Sequence, residues 1–166
     1  MHVLVSDSSV PIELSKRNLL DRMFELSFQF AVPDLLFNEE IIDLGRYDRQ
    51  DLVRLGLRVE ALDPESLATA IGYQSRRRAP SLVDCFALAL AHHRGYTLLT
   101  EDRRMPSFAL EEDIQHHDVL WLIDEMHRAT ILTTSQAVAA LEEMLADPSS
   151  PVPKQELARH LRNLAV

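Results

Sequence analysis

The chain has 166 residues, of which 46% are hydrophobic and 26% charged, and its formal net charge is −9. These values predict one soluble domain with an appendage, and they argue against a protein that binds nucleic acid through bulk positive charge. The single cysteine, Cys85, excludes an internal disulfide, and no apolar run reaches the roughly 20 residues of a membrane span. We therefore expect a cytoplasmic protein in which the Cys85 thiol is buried.

Five short apolar runs favour β-strands, and helical patterns lie between them. The predicted strands are residues 2–6, 29–33, 57–61, 96–100 and 117–121. Alternating strands and helices are typical of βαβ units. We therefore predict a three-layer α/β/α domain with a central parallel sheet over residues 1–121. Residues 122–166 are predicted to form a helical C-terminal extension that packs on this domain or on a partner.

Local residue chemistry marks several helix ends. Asp63 is followed by proline, Ser81 precedes a strongly apolar helix, and Gly95 comes at the end of that helix. Residues 147–153 interrupt the helical pattern with several prolines and serines. A last amphipathic helix is predicted over residues 154–164.

Four acidic residues lie where predicted strands end or helices begin: Asp7, Glu40, Asp84 and Asp102. Ligand sites in parallel α/β sheets gather at the carboxyl ends of the strands, so these carboxylates can meet at one point. Each close pair of carboxylates repels by about 4 kcal/mol at an effective dielectric constant near 20. A hard divalent cation relieves that repulsion, so the pattern predicts a Mg²⁺ or Mn²⁺ site.

Each acid also has an ordinary structural interpretation. Asp84 stands three residues after Ser81, which is close to a capping box, and an acid in the first helical turn complements the helix dipole. Asp102 can be a turn residue and Asp7 a loop acid after a strand. Four of the seven histidines form two adjacent pairs, and none has zinc-type spacing, so we expect the histidines at the surface or at edges.

Four segments together resemble the PIN domain, the fold of metal-dependent ribonucleases, and are most similar to VapC-type toxins of bacterial toxin–antitoxin pairs. The matching segments are VSDSSV at residues 5–10, VPDLL at 32–36, SLVDCFALA at 81–89 and TED at 100–102. Their order and spacing follow the family pattern. The resemblance covers roughly residues 2–121 and leaves the extension unexplained.

The resemblance implies a role for individual residues. Asp7, Asp84, Asp102 and a glutamate near position 40 correspond to the metal-binding acids; Glu39 and Glu40 both match, and we favour Glu40 because an aliphatic residue follows it. Ser9 and Thr100 correspond to hydroxyls that hold the carboxylates or the attacking water. Position 104, where many relatives carry another acid, is an arginine here, which bears on whether a second metal binds.

The expected function is therefore a Mg²⁺- or Mn²⁺-dependent endoribonuclease, and the expected role is the toxin of a toxin–antitoxin pair with a protein antitoxin as partner. A non-catalytic PIN-like module that binds RNA or a protein is the alternative. A phosphoryl-transfer enzyme of another α/β fold is disfavoured, because the second aspartate expected at position 9 is a serine.

Two further expectations concern binding surfaces. The basic residues expected to contact the RNA backbone are Arg76, Arg77, Arg103 and Arg104. A homodimer or partner-bound form is expected to bury an apolar helical face before residue 61, formed by Leu19, Leu20, Met23, Phe24 and Leu26.

Overall fold

A computed structural model describes residues 2–41, 44–76 and 79–165 of the chain. Its central sheet has five parallel strands in the order β3-β2-β1-β4-β5. The strands are β1 Val3–Ser6, β2 Gln29–Pro33, β3 Arg58–Glu60, β4 Thr97–Leu99 and β5 His116–His117. The strand order reverses around β1, which places the first strand at the centre of the sheet.

Ten helices lie in the described ranges. They are α1 Ser9–Lys16, α2 Leu20–Met23, α3 Asp34–Glu39, α4 Arg49–Leu55, α5 Pro64–Gln74, α6 Leu82–Arg94, α7 Met105–Glu111, α8 Val119–Arg128, α9 Thr134–Ala146 and α10 Lys154–Leu164. In these described ranges, no helix has both the length and the apolar character needed to cross a membrane.

Helices cover both faces of the sheet, which confirms the predicted three-layer α/β/α architecture. Side chains alternate across each strand, so Leu4 and Leu99 join one core while Val5 and Leu98 join the other. The first core also contains residues of α1, α2, α8, α9 and α10. The second core contains residues of α5, α6 and α7, with the apolar α6 at its centre.

The helix ends follow the local sequence. Asp63 and Ser81 cap α5 and α6 by accepting hydrogen bonds from the backbone of the first turn. Gly95 ends α6 with φ +66°, a left-handed conformation that favours glycine. The last helix spans residues 154–164 as predicted, and Cys85 is buried as predicted.

The predicted fifth strand over residues 117–121 is wrong. The strand is His116–His117, and Asp118 then caps α8 by accepting a hydrogen bond from the backbone N–H of Trp121. The apolar residues after Asp118 recur at helical spacing and form the buried face of α8. The predicted division between residues 121 and 122 falls inside this helix.

The apolar helical face expected to form a homodimer or partner interface is covered within the chain. Leu19, Leu20, Met23 and Leu26 are buried within the chain, where α2 packs against α1 and α8, and Phe24 is half-buried against the same core. These five residues are therefore used for internal packing rather than for a surface patch.

Candidate functional site

The candidate site lies where β1 and β4 end side by side. Ser6, the last residue of β1, pairs with Leu99 of β4, and the backbone N–H of Asp7 donates to the Leu99 carbonyl at 3.2 Å. Asp7 therefore leaves the sheet next to Thr100. This is the carboxyl edge of the parallel sheet, the place where such folds hold ligands.

Two hydroxyl groups hold the Asp7 carboxylate. Ser9 Oγ donates to Asp7 Oδ1 at 2.5 Å, and Thr100 Oγ1 donates to Asp7 Oδ2. Both hydroxyl oxygens also accept from the loop after β4: Ser9 Oγ from Glu101 N at 2.9 Å, and Thr100 Oγ1 from Asp102 N at 3.0 Å. The network joins the start of α1 to the loop that carries Asp102, so Ser9 and Thr100 lie as expected for residues that orient an acidic centre.

Burial controls the charge of Asp7, whose exposed fraction is 1%. Desolvation raises the pKa of Asp7 to about 7, although the hydrogen bonds from Ser9 and Thr100 favour the ionised form. The nearby charge of Asp84 raises this pKa further. A cation at this point would restore the ionised carboxylate.

Asp84 is the acid that links the others electrostatically. It lies in the first turn of α6, where its backbone N–H donates to Ser81 Oγ at 3.1 Å. Burial raises the pKa of Asp84, and the charges of Glu40 and Asp102 raise it further. Asp7, Glu40 and Asp102 therefore lie within electrostatic range of Asp84, and the four acids come from four separate parts of the chain.

The Asp102 carboxylate forms an ion pair with an arginine. Arg104 Nε and Nη2 donate to the two oxygens of Asp102 at 3.1 and 2.8 Å, and the Arg104 backbone N–H adds a third bond at 2.9 Å. The hydrogen bonds from Arg104 lower the pKa of Asp102, in contrast to the raised values of Asp7 and Asp84.

The donor set fits a hard divalent cation, because all four candidate ligands are carboxylates. The side-chain positions fit it less well: in residues 2–41, 44–76 and 79–165, no three His, Cys, Asp or Glu side chains are grouped closely enough to hold one ion. The Asp7 oxygens bond to hydroxyls and the Asp102 oxygens to Arg104. Arg104 and a metal ion would therefore compete for the Asp102 carboxylate.

Sequence reasoning missed Glu101, although the residue stands between Thr100 and Asp102. Glu101 Oε1 accepts from the backbone N–H of Val119 at 2.7 Å and so ties the loop after β4 to the start of α8. Burial raises the pKa of Glu101 to about 8, and the charges of Asp118, Asp7 and Glu13 add to this shift. The signal available in the sequence was its position between Thr100 and Asp102, directly after an apolar strand.

A cleft of about 270 Å³ adjoins the acidic edge and shares Thr100 and Asp102 with it. Its other walls come from β5 and the following Asp118, and from residues 151–156 of the C-terminal extension. The extension therefore reaches the neighbourhood of the candidate site.

The predicted basic contacts differ in their environments. Arg76 bonds to Glu112 at 2.6 Å and to Glu111 at 3.3 Å, and its guanidinium lies over the Tyr73 ring, so its charge is already paired. Arg103 is exposed and lines the cleft. Arg77 lies outside the described residues.

The chain is a parallel α/β domain with helices on both faces of the sheet, and its candidate site lies at the central strands. The family model described as DUF3368, a PIN domain, matches residues 3–165. The chain therefore belongs to the PIN domain family, and the match includes the C-terminal extension. PIN domains are in general nucleases.

The chain is similar in structure to a PilT N-terminus domain protein from the hyperthermophilic archaeon Sulfolobus solfataricus P2. The TM-score is 0.51 and the sequence identity 14%, with 76% of this chain and 93% of that chain covered. At this identity the likeness supports the fold alone. No curated protein matches the chain significantly.

Proposed function

We propose that the protein is an endoribonuclease that depends on Mg²⁺ or Mn²⁺, with Asp7, Glu40, Asp84 and Asp102 as its metal ligands. The observation that carries this proposal is the electrostatic convergence of three acids on Asp84 at the carboxyl edge of the sheet. Glu40 is preferred to Glu39 because its charge acts on Asp84. A bound ion would lower the pKa of a coordinated water and offset charge on the scissile phosphate.

The residues around the acids have distinct tasks in this proposal. Ser9 and Thr100 fix the rotamer of Asp7, because each hydroxyl is itself held by a backbone N–H of the loop after β4. Ser81 fixes the first turn of α6 and with it the position of Asp84. Such supporting hydrogen bonds orient ligands and tune their basicity.

The decisive experiment combines metal binding with RNA cleavage. The wild type is expected to bind Mn²⁺ by calorimetry, to cut RNA only with a divalent ion and to lose cleavage in EDTA. Asp84→Asn should lose both properties while keeping the helix start, because asparagine also caps well. Asp113→Asn is the matched control, since Asp113 is exposed and has φ 56°, a conformation that asparagine tolerates. Cleavage that persists in EDTA in a contaminant-controlled preparation would refute the mechanism.

A non-catalytic PIN module remains the second candidate, and the Arg104–Asp102 ion pair is the observation that favours it. In that case Asp102 and Asp84 serve loop and helix structure, and a Mn²⁺ titration shows no heat in the wild type. RNA or protein binding without cleavage is the expected behaviour of such a module.

The toxin role rests on the sequence resemblance. If the protein is a toxin, its induction in bacterial cells arrests growth, and Asp84→Asn abolishes the arrest at equal protein level. The antitoxin and any homodimer are proposals of the same kind, and co-purification from the native operon followed by sedimentation tests both.

A further inference from the structure

The C-terminal extension builds one wall of the cleft beside the acidic edge, and the proposed metal chemistry uses only Thr100 and Asp102 of its lining. Its volume of about 270 Å³ is slightly below the lower limit of about 300 Å³ for typical ligand pockets. That space suits one flat ring system and excludes a duplex. The cleft opens next to Asp102, so a molecule bound at the acids would extend directly into it.

The wall formed by residues 151–156 is anchored on both sides. Arg17, which follows α1, donates to Asp147 at 2.5 Å and to the buried Glu13 at 3.0 Å, and Ser150 Oγ donates to Glu13 at 3.0 Å. Lys154 Nζ donates to three carbonyl groups at the end of α9, at 2.8 to 2.9 Å. These bonds hold the wall in place before any ligand arrives.

The lining offers flat surfaces and one free acceptor. The His117 ring stacks on Trp121 with centroids 3.8 Å apart and planes 5° from parallel, which fixes the plane of the imidazole. Pro151 and Pro153 of the extension also line the cleft. Within the part of the chain that the structure describes, the Glu156 carboxylate makes no hydrogen bond, so it is available to accept one from a ligand.

The charges select a neutral ligand group. Four acids line the cleft against one arginine, so a phosphate inside it would be repelled. The exposed Arg103 lies in the same lining and, within the described residues, forms no ion pair, so it can meet a phosphate next to the ring. Burial lowers the pKa of His117, so its ring presents a neutral face near pH 7.

We propose that this cleft binds one unpaired nucleobase of the RNA, beside the scissile phosphate, with His117 as the stacking face and Glu156 as acceptor for an exocyclic amino group. Proteins commonly read single-stranded RNA by stacking unpaired bases on aromatic side chains, histidine included. Adenine, cytosine and guanine carry an exocyclic amino group that can donate a hydrogen bond to Glu156, and uracil does not. Because the scissile phosphate lies at the acids only in a nuclease, this assignment rests on the proposed function.

The test measures base binding without cleavage. The dinucleoside monophosphates ApA, CpC and UpU are titrated in EDTA, with the ring resonances of His117 followed by NMR and assigned by their loss in His117→Ala. ApA and CpC are expected to shift these resonances at lower concentration than UpU. Glu156→Ala should remove that preference, whereas Glu142→Ala, an exposed residue on α9, should keep it.

His117→Ala should weaken all three ligands by about fivefold or more, the loss expected for one stacked base. Saturation transfer from the protein to the ligand measures this variant, and His117→Phe, which keeps a flat ring, should retain most of the affinity. Equal binding of the three ligands by every variant would overturn the assignment. So would a basic peptide, hexa-lysine, that binds the wild type and is lost in Glu156→Ala while no dinucleotide binds, because the cleft would then be a protein-binding site.

The readout separates this assignment from the nuclease proposal. Base-selective binding in EDTA without metal-dependent cleavage supports the cleft and refutes the nuclease. Metal-dependent cleavage that His117→Ala and Glu156→Ala leave unchanged supports the nuclease and refutes the cleft.

Discussion

At the scale of single residues, burial and hydrogen-bond partners together determine the pKa values of the acids in the site. Asp7 and Asp84 have raised pKa values because burial is the largest influence on each. Asp102 has a lowered pKa because Arg104 binds both of its oxygens. One acidic edge thus contains carboxyls that accept protons readily and one that is locked in its charged form.

Replacing Arg104 should strengthen metal binding. Arg104→Gln removes the cation that competes for Asp102, and exposed pairs of this type are worth about 0.2 to 1 kcal/mol, so Mn²⁺ should bind up to about fivefold more tightly. Calorimetry on this variant and on Arg103→Gln, the exposed neighbour, measures the difference. Weaker Mn²⁺ binding by Arg104→Gln alone would show that the arginine helps to assemble the site.

The stability of the metal-free protein should fall as pH rises. The pKa of Asp7 is raised to about 7 in the folded state, so between roughly pH 4 and 7 the folded state binds a proton that the unfolded state has lost. The contribution of protonated Asp7 to stability is therefore present at low pH and lost through pH 7. Glu101, with a pKa of about 8, extends the same trend to pH 8.

Urea unfolding in EDTA at pH 5, 6, 7 and 8 measures this dependence. Asp7→Asn should flatten the curve below about pH 7, and Glu101→Gln should flatten it over the whole range from about pH 5 to 8. Parallel curves for the wild type and Asp7→Asn would mean that Asp7 is ionised throughout.

At the scale of elements, the sequence predicts what local chemistry determines. The caps at Asp63 and Ser81 and the glycine stop at Gly95 were predictable because each acts within one helical turn. The placement of Asp7 and Asp102 followed from the general rule that parallel strands end at a common edge. The Arg104–Asp102 pair was not predictable, because it depends on the conformation of the loop after β4.

The errors have a common physical cause. The apolar run after His117 suits a strand or a helix equally, and the decision comes from the Asp118 cap and from packing on the sheet. The face formed by Leu19 and Leu20 looked exposed because the helix that covers it, α8, lies about 100 residues later in the chain. Neither fact is visible in a local window of sequence.

The Ser81 cap offers a test of the two interpretations of Asp84. Ser81→Ala and Thr133→Ala each remove one helix cap and should each cost about 1 kcal/mol in the free energy of unfolding. If Ser81 also positions a metal ligand, Ser81→Ala should weaken Mn²⁺ binding and Thr133→Ala should not. Equal Mn²⁺ affinities in the two variants would assign Ser81 to helix capping alone.

At the scale of the whole molecule, the C-terminal extension is integrated with the sheet rather than appended to it. Leu141, Met144 and Leu157 share a core with Leu4 and Leu14 of the first strand and helix. The family match over residues 3–165 includes the same segment. The wall of the cleft therefore depends on contacts between the two ends of the chain.

The buried ion pair between Glu13 and Arg17 is the strongest candidate for holding those ends together. The exposed fraction of the side chain is 1% for Glu13 and 7% for Arg17. Arg17→Ala should lower the free energy of unfolding by about 3 kcal/mol, because it leaves the charge of Glu13 buried without its partner. Lys16→Ala, one residue earlier and exposed, should change stability little.

A double variant distinguishes the pair from general packing. Arg17→Met with Glu13→Gln removes both charges, so much of the lost stability should return by urea unfolding. Limited proteolysis should cut residues 147–153 faster in Arg17→Ala than in the double variant or the wild type, because the wall loses its anchor on α1. If the double variant is as unstable as Arg17→Ala, the loss comes from the packing of the arginine stem and the bond to Asp147, and the buried charge of Glu13 is not its cause.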